Sequence, residues 1–173
     1  MKFRKSFKIE LTGNILLMLF AVLVLSAELN GQEPPPRPIR ITATAQSLSF
    51  GAFYQGVAGG TVIVDPGSTR TSTGAIVLLN MGYTVSAALF EVHAHPGTII
   101  AILNNNPYSL GGTPSGSMVL NITSTNPASP FVSNVHFNVP IWLYVGGTLT
   151  VGNPAANPPG SYSGSFNITL VRE

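Results

Sequence analysis

The chain contains no cysteine. That excludes a disulfide framework and thiolate metal chemistry. Charge is nearly as scarce, since only 8% of the 173 residues are Asp, Glu, Lys or Arg. Lysine does not occur beyond Lys8, and the formal net charge of +2 arises at the start, where Lys2, Arg4, Lys5 and Lys8 cluster. Beyond Gln32 the cations Arg37, Arg40, Arg70 and Arg172 are matched by Glu33, Asp65, Glu91 and Glu173. No basic surface for nucleic acid or anionic lipid follows from such a balance. Low net charge also leaves little repulsion between copies and favours association. The acid–base inventory is equally thin: Asp65 is the only aspartate, and Glu33 and Glu173 lie near the ends of the mature chain. Neither an activated nucleophile nor a carboxylate pair assembles from these residues, so no catalytic site and no cofactor are expected.

Long apolar runs are missing too. The longest, Ile15–Leu25, is about half of the roughly 20 residues a membrane-spanning helix needs. Preceded by the basic cluster and followed by Ser26, Ala27, Gly31 and Gln32, it reads as a secretory signal peptide over residues 1–31, with a permanent N-terminal anchor as the alternative. The expected location is therefore periplasm, cell surface or medium, without membrane insertion once the signal is removed. Residues 32–38, QEPPPRP, form either a stiff polyproline-like spacer or an unstructured mature N-terminus.

What is present from residue 39 to 173 is β text. Apolar and polar residues alternate in Ile39–Ala45, and short apolar stretches recur at Thr61–Val64, Ala75–Leu79, Thr84–Ala94, Thr98–Leu103 and Ser117–Thr123. Turn signals divide them at Ala58-Gly59-Gly60, Asp65-Pro66-Gly67, His95-Pro96-Gly97, Asn104–Pro107 and Gly111-Gly112. Many short strands at fairly regular spacing indicate an all-β sandwich or barrel. The ending SYSGSFNITLVR reads as one half-buried strand, with Tyr162, Phe166, Ile168 and Leu170 on one face. LYVGGTLTVG at Leu143–Gly152 raises the question of its glycines. Leu143, Val145, Leu149 and Val151 keep one parity across Gly146-Gly147, which favours a single kinked strand over a Gly-Gly hairpin turn.

Three segments carry a resemblance: LSFGAF at Leu48–Phe53, GGTVIVDPGSTRTSTGAIVLL at Gly59–Leu79, and LYVGGTLTVGNPAANPPGSYSGSFNITL at Leu143–Leu170. Together they resemble a secreted bacterial family catalogued as domain of unknown function 4402. That family is in turn similar to pilin domains of the spore coat protein U type. The resemblance implies an immunoglobulin-like antiparallel β-sandwich and association by β-strand addition, in which backbone hydrogen bonds supply affinity and alternate side chains fill pockets. Those pilins carry a disulfide, which this chain lacks, and only Pro38–Gln46 precedes LSFG.

Candidate sites are few. Glu91, His93 and His95 share one face of an extended strand, a spacing that metal ligands use, although a solvated polar face running into a turn is the simpler reading. No metal is therefore expected. His136, flanked by Asn134 and Asn138, is expected on another strand. Trp142 and Tyr144 lie opposite Ile141 and Leu143 and suit either a subunit interface or a glycan. Ile39, Ile41, Ala43 and Ala45 form the apolar face of a candidate assembly strand. The expected function is an exported structural or surface-assembly protein, pilin-like, whose partners are its own copies or other surface proteins. The rival is a monomeric extracellular binding module for a glycan or another surface ligand.

Overall fold

The computed structural model describes residues 38–173. The expected signal peptide and all of the proline-rich segment but Pro38 lie outside the described residues. In chain order the strands are β1 (Arg40–Ala43), β2 (Ser49–Phe50), β3 (Ala52–Val64), β4 (Arg70–Leu79), β5 (Val85–Ser86), β6 (Ala88–His93) and β7 (Ile99–Asn104). They continue with β8 (Tyr108–Thr113), β9 (Ser117–Asn126), β10 (Phe131–Val132), β11 (Ile141–Val151), β12 (Ser161–Ser163) and β13 (Ile168–Arg172). No helix occurs among the described residues, and the pairings are antiparallel. The fold is all-β.

The largest sheet runs β1-β6-β11-β9-β8-β12, and β3, which carries β4, joins it through β11. A second sheet is β10-β7-β13, and β2 pairs with β5. Alternation along the strands gathers one core. Val62, Val64, Val92, Leu143, Val145 and Leu149 come from the large sheet, Ile100 from the second and Phe50 from the short pair. Burial of these side chains is the main force holding a chain that has no cross-links.

The strand β11 answers the question of the paired glycines: it is continuous. Ile141–Val145 pair with β6, whereas Gly147–Val151 pair with β3, and β9 runs along the opposite side of both halves. The partner changes at Gly146. A Cβ there would sit 2.5 Å from the Val64 carbonyl oxygen and 2.8 Å from Ser124 Oγ; at Gly147 it would meet Leu120 Cδ1 at 2.9 Å. Glycine is required because three strands converge on the corner. The register shift is taken up on β9, where Gly146 faces Ser124 and Gly147 faces Ile122, leaving Thr123 as the extra residue. The alternation of β11 therefore survives the corner, and Leu143, Val145, Leu149 and Val151 are all buried.

Four sequence expectations need correction. Ala58-Gly59-Gly60 is not a turn but a bulge inside β3, where the register against β4 shifts between Gln55 and Gly60. Gly111-Gly112 lies within β8, and Gly112 is bare because the Tyr162 ring covers it, in contact with the place a Cβ would occupy. Thr84–Ala94 is interrupted at Ala87, whose N–H donates to Ser68 Oγ and whose carbonyl accepts from Gln46 Nε2. The C-terminal segment keeps its predicted face but not its continuity. It leaves β8 after Ser163 and joins β7 from Ile168, so its two halves belong to different sheets. Phe166 fills the crossing, edge-on to Phe90 at 6.2 Å and Tyr108 at 6.0 Å.

Two polar side chains explain much of the motif text. Arg70 is turned onto three carbonyls: its Nη1 donates to Phe50 O and Ala52 O, and its Nη2 to Leu79 O. Gly51, with φ +63°, gives the guanidinium room, since a Cβ there would lie 2.7 Å from Nη1. Asn157 is buried; its Oδ1 accepts from Gly152 N–H, its Nδ2 donates to Ser117 O, and its carbonyl accepts from Gln55 Nε2. It ties the loop after β11 to β9 and β3.

Candidate functional site

The residues singled out from sequence fall on two faces of the domain. The first is the outer face of β1, β6 and the first half of β11. Register places Arg40 beside His93, Thr42 beside Glu91, and Glu91 beside Trp142. Val92 and Ala94 are buried on the opposite side, as the alternation requires. Trp142 stays 44% exposed, and Tyr144 is half-buried.

Phe137 organises this face, and sequence reasoning missed it. His95 stacks on its ring at 4.9 Å, His93 leans on it at 5.9 Å, and the Arg40 guanidinium lies 5.6 Å from its centroid. The Phe137 carbonyl accepts from His93 Nδ1 at 2.8 Å, which fixes that nitrogen as a donor. Only Nε2 of His93 then remains for other partners, and it lies 3.9 Å from Glu91 Oε2. Glu91 and His93 thus meet, while His95 is drawn to the aromatic ring. Among the described residues, no group of three His, Asp or Glu side chains is placed to hold a metal ion. His136, expected on a strand, sits in a turn whose carbonyl accepts from Val139 N–H.

The candidate assembly strand is β1, paired with β6 of its own chain. Ile39 and Ile41 pack on the core, but the apolar face ends there. Ala43 and Ala45 are exposed, and Thr44 turns inward instead. Its Oγ1 donates to Leu89 O and accepts from Gln46 N–H, and because Thr44 N–H and Gln46 O also bond to Leu89, the chain bulges against β6 at Ala45. A hydroxyl that satisfies backbone at a strand end outweighs two alanines with little area to bury.

The second feature is an open cleft of about 410 Å³ lined by Ile102, Asn104, Ile122–Thr125 and Ala128-Ser129. Two strands lose neighbours beside it. The partner of β9 on one side, β8, stops opposite Leu120, and the partner of β7 on one side, β10, stops opposite Ile100. Side chains take over part of the pairing. Asn106 accepts from Ile122 N–H and donates to Ile122 O, as a neighbouring strand would, and Ser129 Oγ accepts from Ile102 N–H. The lining carries no charge.

The geometry thus defines an antiparallel all-β domain with exposed sheet edges and one ring-lined polar face. The family model for domain of unknown function 4402 matches residues 39–171, and the chain belongs to that family. No curated protein and no solved structure matches it.

Proposed function

We propose that this is an exported structural or surface-assembly subunit with an immunoglobulin-like, pilin-like sandwich, associating by β-strand addition. The observation that carries the reading is the placement of β1, a four-residue strand at the end of its sheet that pairs with β6 alone. Exchange of such a strand between copies reproduces the same registers in the neighbour, with Ile39 and Ile41 entering the same core positions. The uncharged cleft beside β7 and β9 supports the same reading, because its strand edges are held there by side chains that an extended neutral segment could replace. The basic start and short apolar run support export.

Light scattering on the chain with and without residues 33–46 tests it. Strand exchange gives oligomers from the intact form and a truncated form that takes up the missing segment as a synthetic peptide. A monomeric intact form at high concentration, with a truncated form that merely unfolds, overturns it. In that outcome the glycan-binding reading, favoured by the exposure of Trp142 beside Glu91, comes forward; its test is polysaccharide binding by the wild type against Trp142→Ala.

A further inference from the structure

Natural β-sheet proteins blunt exposed edges with short strands, lysines, prolines or outward charge, because an uncovered edge is a template for pairing. The strand β4 has few of these defences. It is ten residues long and pairs with β3 alone. From Thr71 to Leu79 it contains no charged residue and no proline. Its one ionic side chain, Arg70, is folded back onto the carbonyls of Phe50, Ala52 and Leu79, so its charge is spent within its own chain. The one protective device is the bulge at Gly74, with φ +69° and Ser72 Oγ donating to the Ile76 carbonyl. That irregularity confines the regular ladder beyond Gly74 to Ile76–Leu79.

Large apolar side chains flank this stretch and face solvent. Val77 is 56% exposed and faces Tyr54, 63% exposed, across the β3–β4 ladder. Val57 in the bulge is 87% exposed, and Met81 and Tyr83 in the segment leaving β4 are 65% and 69% exposed. At roughly 150–200 Å² for a large apolar side chain, these five expose on the order of 600 Å². Tyr54 and Val77 are cross-strand neighbours and form one exposed apolar patch, a feature that is often functional. The summed area of the five approaches the roughly 800 Å² each partner gives a standard interface.

We propose that β4 is a homotypic docking edge, pairing antiparallel with β4 of a second copy about a two-fold axis near Val77. A second copy is the occupant the chemistry fits. The edge presents no charge for an ionic partner to read, the exported part of the chain is neutral and does not repel its own kind, and a two-fold places the same apolar residues on both sides. Tyr54, Val57, Met81 and Tyr83 then flank the new ladder from each protomer. The proposal is independent of exchange at β1, since the two edges lie on different strands.

The absence of cysteine makes the test clean. In the full chain expressed in a secreting host, Val77→Cys is compared with Thr42→Cys, which puts the same thiol on the exposed edge strand β1. Directly opposed residues in an antiparallel pair bring their Cβ atoms to about 4.5–5.5 Å, near disulfide reach. Mild oxidation is expected to yield a covalent dimer from Val77→Cys and at least tenfold less from Thr42→Cys. Sedimentation is expected to show Val77→Lys weakening wild-type association at least tenfold with an unchanged unfolding temperature. Equal cross-linking at both positions, a monomeric wild type at high concentration, or association undiminished in Val77→Lys overturns it. If Val77→Lys does not fold, the cysteine comparison decides alone.

Discussion

Two strand pairs hang from the same side of β11, and their outer edges are built differently. The pair β6–β1 occupies Ile141–Val145, and the pair β3–β4 occupies Gly147–Val151. The outer strand of the first is four residues long and carries Arg40 pointing outward. The outer strand of the second is ten residues long, and its arginine points inward. Whether a strand edge is protected therefore depends on where its charge is spent. A cation that satisfies backbone carbonyls stabilises the fold and leaves the edge bare. One that stays in solvent does the reverse.

The corner that joins the two pairs gives the largest expected effect. Gly146→Val places side-chain atoms against the Val64 carbonyl and Ser124 Oγ, both within 2.8 Å of the Cβ position. Backbone cannot yield there without moving β3 or β9. A loss of about 3 kcal/mol or more in urea unfolding is expected, at the upper end of overpacking costs. A loss under about 1 kcal/mol would show that the two pairs move independently of the corner.

Arg70→Ala comes next. It removes the donors to three carbonyls, and charged hydrogen bonds contribute about 1.5–3 kcal/mol each before water re-solvates the exposed partners. A net loss of about 2–4 kcal/mol is expected. Self-association of the folded fraction should be unchanged, because the guanidinium is occupied by these three carbonyls. Increased association at unchanged stability would mean that Arg70 guards β4 after all, and the contrast between the edges would collapse.

These two residues also show what the sequence could and could not reveal. The all-β class was legible from period-two alternation, and the continuity of β11 from one parity kept across Gly146-Gly147. What the glycines do was not legible in the same way. Gly59-Gly60, Gly111-Gly112 and Gly146-Gly147 look alike as text, yet they form a bulge, a strand under a tyrosine ring and a three-strand corner, according to which distant backbone or ring approaches. The break after Ser163 was hidden because the chain changes sheets without changing its buried face. At the polar face, Glu91, His93 and Trp142 were legible from alternation within and beside one strand. Phe137 was not, since a single aromatic in a turn carries no periodicity. The inward turn of Thr44 was missed because counting apolar positions gave Ala43 and Ala45 the weight of Ile39 and Ile41.

Thr44→Val tests that last correction at a smaller scale. Valine keeps the shape but cannot donate to Leu89 O or accept from Gln46 N–H. A loss of about 1 kcal/mol is expected, the usual net worth of such bonds. Amide exchange should accelerate at Gln46 and in the β1–β6 pair before it does so in β3–β4. A stabilising effect would mean that position 44 favours an apolar residue.

The smallest effect belongs to Arg40, and it is the most informative about the edges. Its side chain is exposed, and its guanidinium lies 5.6 Å from the Phe137 ring centroid, within the range of a cation–π contact. At an exposed site such a contact contributes about 0.5–1 kcal/mol, so Arg40→Ala should lower unfolding stability by no more than that. Its second consequence is on association. The substitution removes the only outward charge of β1, so the β1 edge comes to resemble β4 in charge but still lacks the exposed Val77 and Tyr54 that accompany β4. If exposed apolar area limits pairing, the sedimentation profile of Arg40→Ala should match wild type, and the double variant with Val77→Lys should behave as Val77→Lys alone. If charge is the limiting feature, Arg40→Ala should associate more strongly than wild type, and the double variant should retain that gain. The second outcome would place the barrier to pairing at β1 in one exposed cation.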